Sequence, residues 1–193
     1  MASLKELWEK YRPAGRHAWV SEPERQLLCR VIEQRCPAQD CVLVPISVVT
    51  DWEVLWYGLY TGLAFLGDER GKRLGKRMLL AIPLSTFGIV IPLMYLFPRK
   101  RPFQAFPEIT PLSFPIDISS FPSGHTKSVW LSAVVLSQYC PRFAPAFIAV
   151  ALLASYSRVY CGLHYPTDVL VGALLGLFLG AGVTRAPVMS GQD

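Results

Sequence analysis

Residues 78–97 read MLLAIPLSTFGIVIPLMYLF, 20 positions without an Asp, Glu, Lys, Arg or His. A helix of that length spans about 30 Å, the thickness of a bilayer's hydrocarbon core. The stretch predicts a membrane span. Four neighbouring runs extend the pattern: Ile46–Leu66, with Asp51 and Glu53 near its start, then Ser123–Cys140, Phe143–Ser157 and Asp168–Val183. The last three are short, so they are expected to pack closely and to begin or end in polar clusters. Gly172, Gly176 and Gly180 recur every four residues in the last run, a spacing that lets helix backbones approach one another. The expected architecture is all-α, an integral-membrane helical bundle of about five to six transmembrane helices.

Composition agrees with that expectation. Of the 193 residues, 52% are hydrophobic and 17% charged, against about 25% charged in soluble domains. The charges concentrate in residues 1–40 and in short loops. Within 1–40, Leu27, Leu28, Val31 and Ile32 recur near helical spacing among Glu and Arg, which predicts an amphipathic or surface helix. Leu4, Leu7 and Trp8 lie among Lys and Glu and form no span. The region has no basic-then-apolar opening with a cleavage site, so the chain is expected to reach a membrane through its later spans. Three regions result: 1–40 at the surface, 41–186 in the membrane and 187–193 as a tail.

The basic residues flank apolar runs, which argues against a nucleic-acid partner. Five cysteines form no CxxC pair and no His cluster, so neither a zinc site nor any cofactor is expected. Cys36 and Cys41 are near enough in sequence to bridge in an oxidising compartment. Arg70, Lys72, Arg73, Lys76 and Arg77 form a dense basic loop, and Arg142 and Arg185 fall on the same side if spans alternate. The positive-inside rule makes that side cytoplasmic.

On the opposite side alternation gathers three polar clusters: Arg99-Lys100-Arg101-Pro102, Pro122-Ser123-Gly124-His125, and Ser157-Arg158 continuing to His164 and Asp168. Arg101 and Arg158 carry planar forks of donors that match phosphate oxygens. Ser123 and Gly124 open a helix whose free amides favour an anion. His125 and His164 are each able to act as nucleophile, base or acid near neutral pH. Asp168 follows His164 by four residues, one face of a helix if that stretch is helical, and Pro166 suits its first turn. A carboxylate on one imidazole nitrogen fixes the tautomer and frees the other to attack.

PSGH at 122–125 and SR-x5-H-x3-D at 157–168 resemble the second and third signature motifs of the type 2 phosphatidic acid phosphatase superfamily, a likeness that runs from about Ile46 to Val183. The resemblance implies His164 as nucleophile oriented by Asp168, and His125 as the acid and base. It also implies Arg101, Ser123, Gly124 and Arg158 as phosphate holders, with no metal required. The first motif, K-x6-RP, departs: Arg101-Pro102 fit, but Met94 holds the Lys position. Lys100 or Arg99 is expected to replace part of its charge, with Lys100 joining the phosphate holders.

The implied activity is a metal-independent lipid phosphate phosphatase at the non-cytoplasmic interface, with a lipid phosphate and the bilayer as partners. A polyprenyl (di)phosphate is favoured slightly over phosphatidate or phosphatidylglycerophosphate. Two other readings stand: a haloperoxidase or soluble acid phosphatase, which the apolar spans disfavour, and a phosphate-lipid binder weakened at Met94. Oligomeric state is not assigned.

Overall fold

The computed structural model describes residues 20–51, 53–113 and 119–185. The expectations for Leu4, Leu7, Trp8 and the 187–193 tail lie outside them. Every regular element among the described residues is helical: α1 (Glu22–Glu33), α2 (Pro37–Asp51), α3 (Glu53–Leu66), α4 (Glu69–Ser85), a π turn (Thr86–Val90), α5 (Ile91–Leu96), α6 (Pro102–Ala105), α7 (Gly124–Tyr139), a 3-10 turn (Pro141–Phe143), α8 (Ala144–Tyr160) and α9 (Pro166–Arg185).

Among the described residues, three helices are long and apolar enough to cross a membrane: Glu69–Leu96, Pro141–Tyr160 and Pro166–Arg185. The segments 37–50 and 54–66 meet at 62° and make a fourth if taken as one broken span. Helix α7 has 16 residues, about 24 Å of rise, short of the bilayer core. The structure therefore supports three to four spans by length, where the apolar runs led us to expect five to six. Phe87 and Phe178, 70% and 79% exposed, are the kind of side chain a lipid-facing surface carries.

The 28-residue helix Glu69–Leu96 is continuous but not regular. Pro92 has no amide hydrogen to offer the carbonyl of Gly88. The ladder widens just before it, and Ile91 N–H reaches back to Thr86 O. At the start of this π turn lies a charge absent from the apolar-run picture. Lys127 of α7 is fully buried, and its Nζ donates to Ser85 Oγ at 3.0 Å and Thr86 Oγ1 at 2.9 Å. Buried cations need such partners.

Helix α9 crosses α7 along its glycine edge. A Cβ on Gly176 would stand 2.5 Å from the Lys127 carbonyl, and one on Gly172 2.5 Å from that of Ser123. Nothing larger than glycine fits where backbones meet so closely.

Two apolar clusters fill the interior. One, around Trp56, Tyr60, Met78, Ile82, Leu131 and Val135, joins α3, α4 and α7. The other packs Leu28 and Val31 of α1 against Phe106, Tyr160, Leu163 and Tyr165. The expected amphipathic helix thus exists, but its apolar face docks on the protein, leaving Leu27 exposed. None of the five cysteines, Cys36 and Cys41 included, is in a disulfide.

Candidate active site

The three polar clusters meet at one end of the bundle. Gly162, at φ +73°, turns the chain out of α8 in the left-handed region that glycine adopts without penalty. The turn delivers His164, 1% exposed, to the space between α7 and α9. Its Nδ1 lies 2.8 Å from the carbonyl oxygen of Ser120. A carbonyl only accepts, so Nδ1 carries the hydrogen and Nε2 the lone pair. That lone pair faces Arg101, whose Nη1 is 3.2 Å away and also donates to Leu163 O at 3.1 Å.

The His125 ring, half-buried in the first turn of α7, has its centroid 6.5 Å from that of His164. Gly124 shares the first turn, where amides lack helical acceptors. The Ser123 amide is already committed to Asp168 O at 3.1 Å. Ser123 Oγ caps the helix by accepting from Thr126 N at 3.4 Å. Arg158 is buried, and its Nη2 donates to Ser47 O and to Thr50 Oγ1 of α2. Lys100 is exposed, whereas Arg99 and Arg101 on either side of it turn inward.

Asp168 occupies the third position of α9. Its Oδ2 accepts from the Tyr165 amide at 2.9 Å, the return bond of a capping box. The carboxylate is 3.7 Å from His164 Nδ1, beyond hydrogen-bond length. The Ser120 carbonyl, rather than the carboxylate, takes the imidazole hydrogen. Asp168 acts on the ring through its charge and through Ser120, whose hydroxyl donates to Oδ2 at 2.5 Å.

A buried network holds Asp168 in turn. Arg99 Nη1 binds Asp168 Oδ1 at 2.5 Å, and Arg99 Nη2 binds Glu24 Oε2 at 2.6 Å. Glu24 Oε1 also accepts from the amide and the hydroxyl of Thr167. The guanidinium stacks 4.1 Å above the Tyr165 ring. The sequence marks Arg99 only as a nearby charge and does not single out Ser120 or Glu24. One signal was available for Glu24: it shares a helical face with Leu28 and Val31, and a carboxylate on an apolar face implies a buried partner.

Burial, with help from the Arg101 and Arg158 charges, lowers the His164 pKa from 6.5 to about 4, against the pull of Asp168. The ring is neutral at physiological pH, which a nucleophile needs. Its folded value lies below its unfolded one, so the unfolded chain takes up a proton first as pH falls. Stability should therefore be full above about 6.5 and decline as pH drops toward about 4. Urea unfolding across that window checks this. A His164→Gln variant should lose part of the slope, and an unchanged slope would refute the assignment.

The family model described as the PAP2 superfamily matches residues 75–192. An undecaprenyl-diphosphatase of Sulfolobus acidocaldarius is 41% identical over 114 residues, 58% of this chain and 54% of that protein. A lipid A 1-phosphatase of Rhizobium etli is 40% identical over 67 residues, 35% of this chain and 29% of that protein. The chain thus spans about half or less of these curated relatives. Among solved structures, Aquifex aeolicus LpxE superposes with a TM-score of 0.71 at 31% identity, covering 83% of this chain and 93% of that one. A phosphatidylglycerolphosphate phosphatase of Bacillus subtilis shares the fold, with a TM-score of 0.67 at 24% identity over 84% and 83% of the two chains. With the family match covering more than half its length, this chain belongs to the PAP2 superfamily.

Proposed function

We propose that the protein is a lipid phosphate phosphatase working through a phosphohistidine on His164. The carrying observation is the pairing of an Nδ1–H tied to the Ser120 carbonyl with an Nε2 lone pair aimed at Arg101. A phosphoryl group entering between Arg101 and His125 takes over the guanidinium's donors. Nε2 then attacks phosphorus, the N–P bond forms and the bond to the leaving oxygen breaks. His125 gives that oxygen its proton. In the second step His125 takes a proton from water, the water oxygen bonds to phosphorus, and the N–P bond breaks to release phosphate. Arg101, Arg158 and the first-turn amide of Gly124 stabilise the equatorial oxygens. Every group this scheme uses is a side chain or backbone amide of the protein, and no metal takes part.

The site lies at the end of helices long enough to cross a membrane, so a phosphorylated head can enter while its tail stays in lipid. The relatives named for undecaprenyl diphosphate favour a polyprenyl (di)phosphate over phosphatidate or phosphatidylglycerophosphate. The basic residues at the other end of the bundle favour a non-cytoplasmic site.

Phosphate release by the purified protein in detergent, with a chelator present, tests the proposal across a panel of lipid phosphates and one sugar phosphate. The expected result is release from lipids, fastest from a polyprenyl diphosphate. Silence across the panel would favour a phosphate-lipid binder disabled at Met94. Met94 is half-buried near the end of α5, seven residues before Arg101 and separated from it by non-helical chain. Met94→Lys should lower KM by up to about tenfold, the worth of one charge-assisted hydrogen bond, without lowering kcat. A fall in kcat would show that the site uses methionine's packing instead.

A further inference from the structure

At the end of the bundle remote from His164, a cavity of about 290 Å³ opens between the start of α4 and the last turns of α7 and α9. Arg70, Arg73 and Arg77 line one wall, with Leu74, Val135 and Tyr139 among the others. The arginines recur at i, i+3 and i+7, one face of a helix. Two of them are anchored. Arg70 Nη2 donates to Gln138 O at 2.7 Å, and Arg77 Nη1 to Val183 O at 3.4 Å. These carbonyls belong to helix C-termini, whose dipoles favour a cation.

Helix capping accounts for two of the three guanidinium groups. It leaves Arg73, which is exposed and makes no hydrogen bond or ion pair with a described residue. The nearest carboxylates, Asp68 and Glu69, act on it through charge alone, since both have direct partners elsewhere. Asp68 Oδ1 accepts from Gly71 N and the Tyr139 hydroxyl, and Glu69 pairs with Lys72. The cavity therefore combines three guanidinium groups with an apolar wall of Leu74 and Val135.

The geometry points to this cavity as a binding site for the headgroup of an anionic phospholipid from the leaflet at that end, separate from the catalytic site. Arg73 supplies the donors for the phosphodiester. Leu74 and Val135 contact the glycerol and the first acyl methylenes. A soluble anion would have no use for that apolar wall, and a zwitterionic headgroup would bring its own cation beside three arginines.

Native mass spectrometry of the full chain, released from micelles containing phosphatidylglycerol or phosphatidylcholine, tests the assignment. One retained phosphatidylglycerol is expected, with phosphatidylcholine retained far less. Arg73→Gln should weaken retention about fivefold, the share of one basic residue at an anionic surface. Lys76→Gln, which removes an exposed charge from the same helix outside the cavity lining, should leave retention unchanged. Phosphate release should be the same in both variants. Equal retention of the two lipids, equal loss in the two variants, or displacement of the lipid by millimolar inorganic phosphate would each overturn the site.

Discussion

Replacing His164 by alanine is expected to abolish turnover, lowering kcat by about a thousandfold or more, as loss of a covalent nucleophile does elsewhere. The reason is geometric. His164 has its far nitrogen tied to a carbonyl, and its near nitrogen faces an arginine fork. Nothing else at that position can form a bond to phosphorus. His125→Ala should behave differently. Loss of a general acid and base costs about a hundredfold to ten-thousandfold, and with a good leaving group the second step suffers more than the first. A labelled substrate should then leave an acid-labile, base-stable phosphoenzyme that is absent from His164→Ala. A fully active His164→Ala variant would end the phosphohistidine reading.

The second large effect is expected on stability. Arg99→Met removes the cation between Asp168 and Glu24, whose side chains are 0% and 5% exposed. Breaking a buried pair from one side costs about 3–5 kcal/mol because the remaining charge stays desolvated. Here two carboxylates are stranded together. Adding Glu24→Gln to Arg99→Met should restore part of the loss, since it removes one stranded charge. The double-mutant cycle in detergent reads that coupling. Additive losses would mean the three groups do not act as one network.

Much of this site was legible in the sequence because its chemistry sits at helix starts. Ser123-Gly124-His125 at the opening of α7, and Pro166 and Asp168 at the opening of α9, are positions that local rules of capping single out. The glycine edge of α9 was legible for a similar reason, since a four-residue period is a statement about one helix face. Ser120 was not legible. Its carbonyl reaches His164 from a loop, and no local pattern announces which loop carbonyl will meet which imidazole. Glu24 reaches Thr167 across 143 residues, and only the packing of α1 creates that contact.

Helix length alone does not confirm the count of five to six spans, for a related reason. Hydropathy averaged along a window registers composition, and it is blind to the direction change between α2 and α3. It also gave no warning that Lys127 would find Ser85 and Thr86 inside the bundle. The π turn that offers those hydroxyls depends on where Pro92 interrupts the ladder.

The Glu24–Arg99–Asp168 chain also bears on the time course of biosynthesis. Its members come from the first described helix, the middle of the chain and the last described helix. A ribosome that has made the first two has built a half-site: Glu24 with Arg99, lacking both His164 and Asp168. Only when the segment from His164 to Asp168 has emerged do all three charges close on one another. On the proposed mechanism the site therefore waits for α9, and a nascent chain stalled before that helix would have neither His164 nor Asp168 in place.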